Sequence, residues 1–228
     1  MVFENLPLRR GGTDQDALVL DEYLPEYDVT KIRSVVVDAP VEVTYRAIET
    51  ADLTQTGAIS AVLNALRALP ETLRALTGAQ PAASTPDRVT FGDIEDAEGW
   101  VRLAREADRE FVFGAVGRFW QPTIDWRDVD ATAFTDFDEP GWGKIGASIS
   151  VRPYGRGRSL LTFEARTATT DPESRRRFRR YWLLIGPFAG FVMGRALDRI
   201  ATDAETAYAI ANGEERDVEA TPTEIPVA

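Results

Sequence analysis

A strand running through a helix-start signal into a long apolar helix, Ser159 to Ala211, constrains this chain most. Residues 160–169 alternate, with Leu161, Phe163 and Ala165 on one face and Thr162, Glu164 and Arg166 on the other. Thr170-Asp171-Pro172-Glu173 then supplies a capping side chain, a proline pre-set for a first helical turn and an acid at the positive helix end. Beyond it, Phe178, Trp182, Ile185, Ala189, Val192, Ala196, Ile200, Ala204 and Ala207 recur at helical spacing. Between Tyr181 and Gly194 the apolar character goes all the way round, so both sides of the helix are expected to be covered.

The rest of the chain supplies the cover. Val29 to Val37 reads as a strand, and Asp38-Ala39-Pro40 turns it into a helix with Val41, Tyr45 and Ile48 on one face. A second helix is expected from Gly57 to Leu76, kinked or split at Pro70, followed by a loop over Thr77 to Asp87. From Arg88 the period shortens to two. Strands are expected at Arg88–Ile94, Trp100–Arg105, Glu110–Phe119, Thr132–Phe137, Lys144–Arg152 and Ser159–Thr169, with turns at Ala107-Asp108-Arg109 and at Pro153-Tyr154-Gly155-Arg156-Gly157. Consecutive hairpins make the sheet antiparallel. The expected fold is therefore α+β, a curved antiparallel sheet wrapped on a long C-terminal helix, with two short helices after the first strand. Residues 1–27 read as an extension that packs on the domain through Leu18, Leu20, Tyr23 and Leu24, residues 28–211 as that domain, and the acidic stretch 212–228 as a disordered tail.

Composition removes several chemistries. The 228 residues include no cysteine and no histidine, which rules out disulfides, thiol nucleophiles, Ser-His-Asp triads and imidazole metal sites. No cofactor is expected, and no spacing supports a carboxylate metal site. The net charge of -11 repels nucleic acid and anionic membranes unless a local patch overrides the sum. All but Lys31 and Lys144 of the basic residues are arginine, which fits either a GC-rich genome or adaptation to high salt. The start of the chain lacks the apolar core of a signal peptide, so the cytoplasm is the expected compartment. At about 21 Å, a helix over Tyr181 to Gly194 is too short to cross a hydrocarbon core of about 30 Å, so an integral membrane protein is not expected.

Val37-Asp38-Ala39-Pro40, Gly117-Arg118-Phe119-Trp120, Phe163-Glu164-Ala165-Arg166, Thr170-Asp171 and Phe178-Arg179-Arg180-Tyr181-Trp182, in this order and spacing, resemble the START-like (SRPBCC) superfamily. The likeness is to its polyketide cyclase/dehydrase-like branch and covers roughly Leu20 to Ala211. It implies a helix-grip fold with an internal cavity for an apolar molecule. It does not imply an activity, because that scaffold serves carriers, receptors, cyclases and oxygenase subunits; the oxygenase branch needs iron-binding histidines, which are absent here.

The expected ligand-binding residues are Arg118, Trp120, Glu164, Arg166, Tyr181, Trp182 and Phe188. If the face bearing Glu164 and Arg166 lines the cavity, with Arg118 on another strand beside them, Glu164 would be held ionised between the two arginines and the arginines could grip a carboxylate or enolate; if it is the outer face, the trio is a cross-strand salt bridge. Arg175, Arg176, Arg177, Arg179 and Arg180 read as an anion or headgroup patch, or as a solvated, salt-bridged helix face. Three functions stay open: a binding protein for a hydrophobic small molecule or lipid, a cyclase or dehydratase using the Glu and Arg groups, and an interaction module docking through the arginine-rich helix start.

Overall fold

The computed structural model describes residues 17–52, 91, 98–121 and 123–219, the last six by backbone alone. Its elements are α1 (Leu20–Tyr23), β1 (Val29–Val37), α2 (Val41–Thr50), β2 (Trp100–Glu106), β3 (Glu110–Gly117), β4 (Trp126–Arg127), α3 (Ala131–Asp136), β5 (Gly143–Pro153), β6 (Ser159–Thr169) and α4 (Pro172–Glu219). The six strands form one curved, unclosed antiparallel sheet in the order β1-β6-β5-β3-β2, with β4 pairing the end of β3. Alternation sets which residues face the helix. Phe163 pairs with Ile149 and Leu161 with Val151, and all four are buried on the inner side, beneath α2 and α4. Glu164, Arg166 and Ser148 point to the opposite, outer face.

Each face carries its own core. On the inner face Phe111, Phe113, Ile149, Leu161 and Phe163 meet Ile48 from α2 and Met193, Leu197 and Ile200 from α4. On the outer face Leu18, Leu20 and Leu24 of the N-terminal segment join Leu103, Val112, Phe134 and Trp142. Two glycines paired across β3 and β5, Gly114 and Gly146, let that layer sit close to the sheet. A Cβ on Gly146 would lie 2.9 Å from Leu20 Cδ1, and one on Gly114 would lie 2.8 Å from Phe134. The two hairpin turns form where expected, with Asp108 at φ 57° and Gly155 and Gly157 at φ 71° and 68°.

The structure corrects four expectations. Residues 132–137 are not a strand: 132–136 belong to α3 and Phe137 caps its end. The Asp130 carboxylate accepts a 2.7 Å hydrogen bond from Ala133 N, and this N-cap outweighs a weak alternation in which only Phe134 is buried. The strand expected at 88–94 is described only at Phe91, which is buried in a 3₁₀ turn. The strand expected to reach Phe119 ends at Gly117, and the two-residue β4 was not anticipated. Finally, the middle of α4 is not covered all round: Leu183 is 82% and Phe191 48% exposed. The second helix expected at 57–76 and the loop at 77–87 lie outside the described residues. Among the described residues no helix is long and apolar enough to cross a membrane.

Candidate ligand-binding site

Asp171 aims α4 at the sheet. Its Oδ1 accepts from the amides of Glu173 and Ser174 at 2.8 and 3.0 Å, and its Oδ2 from Ser174 Oγ at 2.6 Å and Gly141 N at 2.7 Å. These donors, led by the Ser174 hydroxyl, hold its carboxyl well below the usual range. The cap therefore fixes the helix start to the loop that precedes β5. From there α4 runs along the β1/β6 side of the sheet, and Gly190 faces Lys31 and Arg33 of β1 so closely that an added Cβ would lie 2.6 Å from the lysine chain.

One turn into α4 an aromatic group closes the space between helix and sheet. Phe178, 1% exposed, stacks on Trp182 at 5.7 Å and meets Tyr181 and Trp120 at 6.0 and 6.4 Å between ring centroids. Gly143 of β5 makes room, since a Cβ there would lie 3.3 Å from Trp120. Burial pushes the Tyr181 phenol above its ordinary value. At the far end of the same helix face Met193, Ala196 and Leu197 are again in the core, Ala196 at 5% exposure.

Between these ends the packing thins. Ile185 and Ala189 lie on the same face as Phe178 and Ala196 yet are only half-buried, as is Trp182. On the inner face of the sheet Ile145, Ala165 and Trp100 are half-buried too, beside a ring network that joins Phe91, Phe113, Phe163 and Trp100 at centroid distances of 5.5 to 6.2 Å. The helix and the inner face of the sheet thus each carry apolar groups with accessible surface where a fully packed core would have none.

Of the seven residues expected from the sequence, Trp120, Tyr181 and Trp182 come together around Phe178. The other four lie elsewhere. Glu164 and Arg166 are joined at 2.8 Å on the outer face, both buried, where Arg166 also donates to Leu24 O at 3.1 Å, pairs with Asp21 at 2.7 Å and stacks over Tyr27 at 4.9 Å. Burial pulls the guanidinium's pKa down, and Glu164 and Asp21 outweigh it, so Arg166 stays charged. The pair ties down the N-terminal segment and does not face α4. Glu110, also fully buried on that face, accepts from Val19 N at 2.8 Å; burial pushes its carboxyl up against the pull of the Val19 amide. Arg118 braces a loop, donating to Gly141 O at 3.2 Å, pairing with Asp125 at 3.0 Å and covering the Trp142 ring at 4.2 Å. Phe188 turns outward. The sequence did not single out Ile145 or Ala165 as site residues; the signal available was two small residues, Ala165 and Ala189, on faces otherwise carrying large ones.

A concavity of about 450 Å³ lies under the N-terminal segment, on the outer side of the sheet. Tyr23, Tyr27, Phe137, Lys144, Ala168 and Arg175 are among its walls. Lys144 Nζ donates to the Phe134 and Thr135 carbonyls there, and burial lowers its pKa. Among the described residues no group of three or more carboxylates is placed to hold a metal ion.

No protein-family model and no curated protein matches this chain. Solved structures that the chain matches include a conserved protein from Geobacillus kaustophilus, at 9% identity and TM-score 0.36 over 79% of this chain and 97% of that one. Another is CalC from Micromonospora echinospora, described as a self-sacrificing resistance protein, at 12% identity and TM-score 0.30 over 82% and 97%. A third, protein CV1439 from Chromobacterium violaceum, is 14% identical with TM-score 0.32 over 78% and 99%. Likeness at this level fixes neither family nor activity.

Proposed function

We propose that this protein binds a hydrophobic small molecule or lipid between α4 and the inner face of its sheet. The observation that carries this reading is the half-burial of Ile185 and Ala189 between two fully buried neighbours on the same helix face, Phe178 and Ala196. An apolar ligand placed there would cover Ile145 and Ala165 from one side and Ile185 and Ala189 from the other, with Trp182, Tyr181 and Trp120 closing one end. Apolar lining with few polar groups suits a site that selects by shape and burial. Lys31 and Arg33, beside Gly190 at the β1 edge, would meet a carboxylate or other anionic end of the ligand.

Titration calorimetry with oleate and with a neutral polycyclic aromatic tests the reading. Binding that buries apolar surface has a negative heat-capacity change. Ala189→Trp should fill the space and weaken binding at least tenfold while leaving the melting temperature within a few degrees. Equal affinity in wild type and Ala189→Trp would contradict the proposed place of binding.

A further inference from the structure

From Ser174 to Leu197, α4 carries six arginines and no acid, in a chain whose net charge is -11. The residues that point away from the sheet follow one another along a single face. Arg176 and Arg180 come first, then Leu183, Leu184, Pro187, Phe188 and Phe191, then Arg195, and all are exposed. The stripe is about 28 Å long at 1.5 Å per residue. Its centre is apolar and exposed, Leu183 at 82% and Phe191 at 48%.

The arginines at its start are not taken up by acids. Arg175 pairs with Asp28 and Arg177 with Glu173, both in short contacts, but among the described residues Arg176, Arg179 and Arg180 have no ion pair or hydrogen bond to another side chain. A salt-bridged surface face would have answered them. What remains is a basic start followed by an apolar stretch on a convex helix surface, with Arg195 at the far end paired to Asp198 at 3.8 Å.

We propose that this face of α4 docks on an anionic lipid surface, with Leu183 and Phe191 entering the acyl boundary and Arg176 and Arg180 meeting the phosphates. Apolar side chains flanked by arginine match the layered chemistry of a lipid interface, apolar below and anionic above. A second copy of the chain fits poorly. A parallel isologous pairing would set Arg176 and Arg180 against their own counterparts, and an antiparallel one would set them against the Arg195–Asp198 ion pair, so neither answers them as a row of phosphates does. The rest of the acidic molecule is repelled by the same lipid, which leaves this face as the one that approaches. The inference is independent of the proposed ligand site, since it uses the opposite side of the helix.

Vesicle flotation of the full chain tests it, with phosphatidylcholine alone and with one-third phosphatidylglycerol. The protein is expected to float with the anionic vesicles and not with the neutral ones, and to be released as potassium chloride rises from 0.05 to 0.5 M. Each arginine near such a surface is worth roughly fivefold in partition, so Arg176→Gln with Arg180→Gln should reduce it about thirtyfold. Leu183→Ser with Phe191→Ser should reduce it by more than tenfold. Arg156→Gln with Arg158→Gln, the same charge change on the exposed β5–β6 turn, should leave it unaltered. Circular dichroism melting confirms that each variant folds. No flotation at low salt, equal losses from both arginine pairs, or a dimer in gel filtration that Leu183→Ser dissolves would overturn the proposal.

Discussion

Arg166 and Glu164 show how a conspicuous polar pair can be structural. Both are buried on the outer face, and Arg166 reaches Leu24 O and Asp21 as well, so one guanidinium joins β6 to the N-terminal segment. The contact to half-exposed Asp21 is worth little in water. Removing Arg166 leaves the Glu164 charge buried without an answer, which costs about 3–5 kcal/mol. Arg166→Met should therefore lower the urea midpoint strongly while leaving ligand affinity in the folded fraction unchanged. A large loss of affinity without loss of stability would return the pair to the binding site. Asp171 makes a second test. Its folded-state pKa lies below the unfolded value, so its stabilisation is full above about pH 4 and fades as pH falls through that value toward the folded pKa. Asp171→Ala should cost about 1 kcal/mol at pH 7, and the gap to wild type should narrow at pH 3. A gap that is the same at both pH values would contradict the capping account.

At the scale of elements, glycine placement decides how closely layers approach. Gly114 lies under Phe134 and Leu103 and 3.1 Å from the Ile145 carbonyl when a Cβ is added, so Gly114→Ala strains both core and backbone and should destabilise by about 1–3 kcal/mol. Gly190 meets only the ends of the Lys31 and Arg33 side chains, which can move. Alanine is also the better helix former by about 1 kcal/mol, so Gly190→Ala should be neutral or stabilising in thermal unfolding. If Gly190→Ala proves the more damaging of the two, the close contact of α4 with β1 is tighter than described. The elements themselves were legible where two signals agreed. The alternation of residues 144–152 and 159–169, with glycines at the turn, set β5 and β6, and Asp171-Pro172 marked the start of α4. Residues 132–137 offered alternation alone, and a capping aspartate two residues upstream reversed it.

For the whole molecule, the sequence carried the architecture further than the site. Period and turn chemistry are local, so a sheet gripping a helix could be read from them. Which of two sheet faces holds the ligand depends on what covers each face, and that is set by the N-terminal segment. Its leucines fit over Gly146 and, with Phe134 and Leu103 over Gly114, bury the face that carries Glu164 and Arg166. The apolar girth of α4 likewise had two meanings, cover by the rest of the chain or exposure, and the residues from Tyr181 to Gly194 turn out to divide between them. The inward half lies alongside the sheet, and the outward half is open.

The central claim is that the space between Ile185, Ala189, Ile145 and Ala165 holds an apolar molecule. Native mass spectrometry of the protein purified from its own organism, followed by denaturing extraction and identification of what is released, tests it most directly. The account predicts a stoichiometric apolar species on the wild type and its absence from Ala189→Trp prepared in the same way. A wild-type protein that is empty, and stays empty after incubation with lipid and aromatic libraries, would contradict it.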